Sequence, residues 1–302
     1  EIIAKAWKRT KNKKNLFFIG NYLILKKQMD KIGIKIEMSK IHSINKIKNK
    51  NIFNVLDVPF KFKSIFENNI VNTRNYVIKC LNIAHTLASS KKIKGFINAP
   101  IDKKIFNNKY LGVTEYLANK NIIKEKFVMM IYNKKFSVIP LTTHLEIKDV
   151  TSKITREIIK TKILVFNDSY KKLFQKKPKI AVLGLNPHNS EGRQNSIENK
   201  TIIPAIKNLM RLGLNISGPY PADTVFNNQK KLKYNVVVGM YHDQVLGPFK
   251  ALYGFDAINI TLGLKYLRIS PDHGTAKDIV GLNKANPQSL ISAINFLNKI
   301  ND

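Results

Sequence analysis

Short apolar runs alternate along the chain with longer stretches in which apolar residues recur at helical spacing. Runs without polar alternation suit strands covered on both faces, so the pattern predicts an α/β fold, a mainly parallel sheet with helices on either side. Strands are predicted over residues 16–19, 93–97, 127–132, 136–139, 180–185, 236–240 and 257–261. Helices are predicted over 72–89, where Val77, Leu81, Ala84 and Ala88 form one apolar face, and over 152–174, 201–212 and 287–300. No repeat or low-complexity linker interrupts the pattern, so composition marks no domain boundary.

Composition narrows the class. With 302 residues, 44% of them hydrophobic, the chain can fill one large α/β unit or two lobes of ordinary size. Its longest apolar runs, such as 180–185, fall far short of the roughly 18 to 20 residues that span a bilayer. Nothing near the start has the charged, apolar and small-residue sections of a secretion signal, and the single cysteine, Cys80, fits a reducing cytoplasm.

The net charge of +32 raises a nucleic-acid or anionic-surface partner. Only Arg9, Arg74, Arg156, Arg193, Arg211 and Arg268 among the 52 basic residues are arginine, and the lysines are scattered among asparagines and isoleucines. Those three residue types share AT-rich codons, and the densest basic stretches, 5–14 and 40–50, carry few aromatics for stacking on bases. A solvated lysine surface is therefore expected rather than a specific nucleic-acid or membrane partner. A nucleic-acid-binding protein stays as the alternative from another class.

Three histidines follow predicted strands directly: His144 after 136–139, His188 after 180–185 and His242 after 236–240. In open α/β sheets the ligand crevice lies outside the carboxyl ends of the strands, so three imidazoles there can converge on a metal and leave coordination positions for substrate. Each taken alone reads equally as a satisfied polar residue at a strand terminus. His42 lies in a lysine-rich stretch and His85 inside a predicted helix, which suggests solvated or structural roles. His273, in Asp272-His273-Gly274-Thr275-Ala276, is expected to open a helix whose backbone N–H groups can hold a phosphate or cofactor oxygen. Asp223 and Asp243 can orient metal ligands, move a proton, or simply cap a helix or turn.

The chain also carries, in one order, Asn98-Ala99-Pro100, Thr114-Glu115-Tyr116-Leu117-Ala118, Thr142-Thr143-His144, Leu185-Asn186-Pro187-His188 with Glu191-Gly192, and Gly218-Pro219-Tyr220-Pro221-Ala222-Asp223-Thr224. Tyr241-His242-Asp243-Gln244, Asn259-Ile260-Thr261-Leu262-Gly263 and Asp272-His273-Gly274-Thr275-Ala276 complete the series. Together they resemble the 4-hydroxythreonine-4-phosphate dehydrogenase family of vitamin B6 biosynthesis, from the first residue to the last helix.

The resemblance implies a two-lobed fold like that of the isocitrate and isopropylmalate dehydrogenases, with a first lobe of 1–115 and 270–302 and a second of 116–269 that carries dimer contacts. It implies a cytoplasmic homodimer whose active site is shared between subunits. One divalent metal (zinc, magnesium or cobalt) would be held by His144, His188 and His242, one of them reaching across from the partner chain. Thr114, Lys250, Asn259 and Arg268 match substrate-binding positions, with Lys250 and Asp243 in catalytic roles. His273, Gly274, Thr275, Ala276 and Asp278, followed by Ala285-Asn286-Pro287, match an NAD (or NADP) contact segment. The implied reaction oxidises the C3 hydroxyl of 4-phosphooxy-L-threonine and then decarboxylates the product to 3-amino-2-oxopropyl phosphate, as a step toward pyridoxal 5'-phosphate.

Two departures stand out. Val113 occupies a position where the family has a histidine that meets substrate, and its side chain neither donates nor accepts a hydrogen bond. That change keeps open a dehydrogenase for a related sugar-acid phosphate, threonate or erythronate 4-phosphate. The chain also begins at Glu1, where the family carries a preceding strand and a Gly- and Pro-rich loop. A fragment or internally set start is expected, with an exposed sheet edge and low activity.

Overall fold

A computed structural model describes every residue except 12, 14, 15, 48–51, 67, 68, 124, 125, 255 and 302, and the side chains of 228–232 and 301. In chain order the elements begin α1 (Ile2–Arg9), β1 (Phe18–Gly20), α2 (Tyr22–Lys31), β2 (Met38–Ile41), β3 (Phe53–Asp57), α3 (Ile70–Ser89), β4 (Gly95–Ile97) and α4 (Val113–Lys120). They continue with β5 (Val128–Tyr132), β6 (Ser137–Pro140), α5 (Ile147–Lys153), α6 (Arg156–Phe174), β7 (Ile180–Leu183), α7 (Ile203–Arg211), β8 (Ile216–Tyr220) and α8 (Ala222–Leu232). The last are β9 (Val236–Gly239), α9 (His242–Tyr253), β10 (Ile258–Leu262), β11 (Leu267–Pro271) and α10 (Gln288–Asn301). The fold is α/β with mostly parallel strands. It divides into one unit of Glu1–Leu117 with Tyr266–Asp302 and a second of Ala118–Lys265.

In the first unit β1, β3 and β2 form a parallel sheet, and β4 pairs in parallel with β11 through Gly95 opposite Leu267. Glycine is required at 95 because a Cβ there would run into the Leu267 backbone carbonyl. Trp7 of α1 meets Phe53 edge-on with ring centroids 4.9 Å apart, in a cluster with Ala4, Met29 and Val55. This contact anchors α1 on the small sheet, since edge-to-face rings add to the area they bury.

The second unit carries the strand order β10-β5-β6-β9-β7-β8. β6, β9, β7 and β8 run parallel, whereas β5 is antiparallel to both neighbours. Every residue of β6, β7 and β9 is buried, which is why their sequences are apolar almost throughout, with Ser137 of β6 as the polar exception. α9 lays Val245, Leu246 and Phe249 into the same cluster as Val138, Ala181 and Val237, and fixes the loop from which it starts.

Several sequence expectations are corrected. The helix predicted over 152–174 is two helices: Ile154 is extended and Thr155 caps α6, its hydroxyl accepting the Ile158 N–H at 3.2 Å. His273 opens no helix; a three-residue 3-10 turn, Lys277–Ile279, begins only after Ala276. α9 was masked in the sequence by Gly247-Pro248, yet it continues through both because its apolar face is held by the sheet. Among the described residues no helix is long and apolar enough to cross a membrane.

Candidate functional site

Because β6 and β9 are neighbours and parallel, the turns after them emerge side by side. The pairing continues past the strands: Leu141 N–H donates to Gly239 O at 2.8 Å, and the Thr142 hydroxyl donates to Met240 O at 2.7 Å. His144 then adopts a left-handed backbone with φ 56°, which turns its ring toward the start of α9. The rings of His144 and His242 lie 6.2 Å apart, tilted by 34°. His242 Nδ1 stands 2.6 Å from Asp243 Oδ1. A carboxylate only accepts, so Nδ1 is the donor, which in the neutral ring leaves the Nε2 lone pair for a ligand.

His188 sits on the next loop along the same edge, after β7. Residues His188, Asn189, Ser190 and Glu191 all have left-handed backbones, with φ between 50 and 55°. Glu198, 1% exposed, holds this loop: its Oε1 accepts the N–H groups of Leu185 at 3.0 Å and Asn186 at 2.8 Å, and its Oε2 accepts the Ser190 hydroxyl at 2.7 Å. Burial raises the carboxyl's pKa, but the Asn186 and Ser190 donors outweigh it and leave Glu198 below the ordinary carboxylate value. The structure thus pairs His144 with His242 and places His188 on the adjoining loop. Among the described residues, no three His, Cys, Asp or Glu side chains come close enough to hold one ion together. The donor chemistry of the pair suits a divalent metal; among the described residues no third such ligand is brought to it.

Three further expected positions lie in this unit. Asn259 of β10 has a buried Oδ1 with no hydrogen-bond partner among the described residues, an acceptor suited to a ligand donor. Lys250, in the last turns of α9, is exposed. Asp223 is exposed in the first turn of α8.

The first unit holds the remaining positions. Arg268 of β11 is 3% exposed; its Nε donates to Asn98 Oδ1 at 2.7 Å and its Nη1 to Thr114 Oγ1 at 3.1 Å. Asn98 is itself fixed, its N–H on Ile269 O at 3.1 Å and its Nδ2 on Ala99 O at 2.9 Å. Burial pulls the guanidinium pKa down to about 10, against the opposing effect of Glu115, so Arg268 stays charged at neutral pH. Val113, beside Thr114, is 9% exposed. His273 Nε2 is buried and lacks a hydrogen-bond partner among the described residues, while Nδ1 lies 3.0 Å from Gly274 O. Gly274, Thr275, Ala276 and Asp278 are exposed, and Lys277 pairs with Asp102. A buried ring nitrogen beside an open, glycine-containing turn suits a cofactor's polar groups. His85 is structural, its Nδ1 2.8 Å from the Tyr266 hydroxyl.

The family described as pyridoxal phosphate biosynthetic protein PdxA matches residues 12–297. The chain belongs to the PdxA family. A relative named 4-hydroxythreonine-4-phosphate dehydrogenase, from Sulfurihydrogenibium sp., is 38% identical over 97% of this chain and 92% of its own. One of the same name from Aquifex aeolicus is 34% identical over 100% of this chain and 94% of its own. The solved 4-hydroxythreonine-4-phosphate dehydrogenase of Klebsiella pneumoniae superposes with a TM-score of 0.88 at 29% identity, covering 100% of this chain and 95% of that one. This PdxA member is accordingly an enzyme of the oxidoreductase class with a role in vitamin B6 biosynthesis. Two residues that shape its histidine loops, Glu198 and Gln244, have no role legible from sequence; for Glu198 the only hint is an acidic residue in a stretch with few of them.

Proposed function

We propose that the chain oxidises the C3 hydroxyl of 4-phosphooxy-L-threonine with NAD, and that the product decarboxylates to 3-amino-2-oxopropyl phosphate, in a cytoplasmic homodimer. The observation that carries the reading is the approach of His144 to His242 at the ends of adjacent parallel strands, in a PdxA-family chain. A divalent ion bound by His144, His242 and His188, one contributed across the dimer, would acidify the substrate hydroxyl and stabilise the enolate left by decarboxylation.

The chain's own residues supply the rest. Asp243 holds the Nδ1 proton of His242 and so presents Nε2. Arg268, locked by Asn98 and Thr114, offers a fixed positive charge to a phosphate or carboxylate, and Lys250 adds a point charge on a flexible stem. Asn259 Oδ1 accepts a substrate N–H or O–H. The turn of His273 to Asp278 holds the nicotinamide cofactor by its adenosine end.

Purified protein supplied with NAD and 4-phosphooxy-L-threonine is expected to form NADH, to stop on chelation, and to restart when a divalent ion is returned. Absence of NADH under all divalent ions tried would sink the proposal. A second reading follows from Val113, which is buried and offers substrate no hydrogen bond: the substrate is then threonate or erythronate 4-phosphate. NADH formation with those compounds but not with 4-phosphooxy-L-threonine decides for it.

A further inference from the structure

We infer that Glu198 is a positioning residue that sets the loop bearing His188. The inference rests on the proposed reading of His188 as a metal ligand. The carboxylate grips the loop on both sides of that histidine. Before it, Glu198 takes the N–H groups of Leu185 and Asn186, and the Asn186 side-chain amide reaches both carboxylate oxygens at 3.2 Å. After it, Glu198 takes the Ser190 hydroxyl.

Four successive left-handed residues, His188 to Glu191, run through the second of those anchors, Ser190. L-residues enter that region reluctantly, so such a run persists only where its surroundings over-determine it. Two further contacts help: Asn189 Nδ2 donates to Pro219 O at 3.0 Å, and a side chain at Gly184 would strike Asn189 Oδ1. The central constraint remains the buried charge, which is satisfied only while the loop keeps this course. Glu198 is itself seated in a packed element. It begins the π-helical turn Glu198–Ile202, whose Ile202 is fully buried and which leads into α7 with Ala205, Ile206 and Leu209 in the core. His188 itself is exposed. A ligand on an exposed, strained loop thus has its position dictated by a carboxylate ten residues away on a rigid element.

The test uses the full chain, stripped with chelator and titrated with Co²⁺ alone, with affinity and the visible ligand-field spectrum as readouts and thermal unfolding in parallel. H188A, E198A, E198Q and the double variant H188A/E198A are compared with the parent. E198A is expected to weaken Co²⁺ about 10- to 100-fold and alter the spectrum. E198Q keeps one accepting oxygen for the backbone N–H groups and is expected at the lower end, about tenfold. The double variant is expected to bind no more weakly than H188A, because both changes act on one ligand.

Parent-like affinity in E198A, or losses that add in the double variant, would overturn the inference while H188A still supports the metal reading. Should E198A fail to unfold cooperatively, parent-like affinity in E198Q overturns it equally. Parent-like affinity in H188A would remove the metal reading, and this inference with it.

Discussion

Gln244 donates through Nε2 to the carbonyl of Gly184 at 2.7 Å, and its Oε1 accepts the N–H of Met240, also at 2.7 Å. One amide thereby joins the end of β9, which leads to His242, to the end of β7, which leads to His188. Leucine at 244 keeps the volume but leaves a partly buried donor and acceptor unanswered. Q244L is expected to cost about 1–3 kcal/mol of stability, seen as a lower urea midpoint with an unchanged slope. It is also expected to weaken Co²⁺ binding, because the two loops lose their tie. A midpoint equal to the parent's would show that this amide bridges nothing of consequence.

Asp243 tests the orientation of His242 separately from folding. Its side chain is 86% exposed, so D243N should shift stability by no more than about 0.5 kcal/mol. The neutral amide holds the Nδ1 proton less firmly and makes the imidazole a poorer ligand. Metal affinity is expected to fall about tenfold while the melting temperature stays put. Unchanged metal binding in D243N would mean that the 2.6 Å contact is a surface pairing only.

The limits of the sequence pattern have physical causes. β7 and β9 were legible because strands buried on both faces are apolar at every position, and the histidines after them sat where a crevice is expected. β8 was not, because Ser217-Gly218-Pro219 has the composition of a turn. Gly218 is there because its φ of 133° and the adjacent Val182 backbone leave no room for a side chain. β3 escaped notice because Asn54 interrupts its apolar run, although Asn54 is buried. The pairing of His144 with His242 depends on β6 lying next to β9, nearly a hundred residues on. Strand order is a tertiary property that spacing does not encode. Glu198 was invisible for the same reason: its partners are a loop whose path only the fold defines.

Arg268 offers a test of the anion site. Lysine retains the charge but cannot reach Asn98 and Thr114 at once, since it lacks the planar fork that places Nε and Nη1 on both. R268K is expected to lower kcat/KM by about 100-fold, a loss of the size that follows when a binding group is displaced by about an ångström. Most of the change should fall on KM if Arg268 binds a remote phosphate, and on kcat if it faces the reacting carboxylate. N98A should reproduce part of the loss, because the Nε contact disappears while the guanidinium stays. Wild-type kinetics in R268K would refute the assignment of this residue to substrate.

Glu198 makes stability depend on pH in a definite direction. Its folded-state pKa lies below the ordinary 4.5. The unfolded chain therefore takes up the proton first as pH falls, and the carboxylate's contribution is lost on the acid side. Above that ordinary value the contribution is complete and constant; it fades as pH drops through the lower folded value. E198Q has no such charge to lose. The stability gap between parent and E198Q, from urea unfolding at a series of pH values, is expected to be flat from neutrality down to the ordinary carboxylate value and to narrow below it. A gap that widens on acidification would mean the buried carboxyl is held protonated, and the donors from Asn186 and Ser190 would then need another explanation.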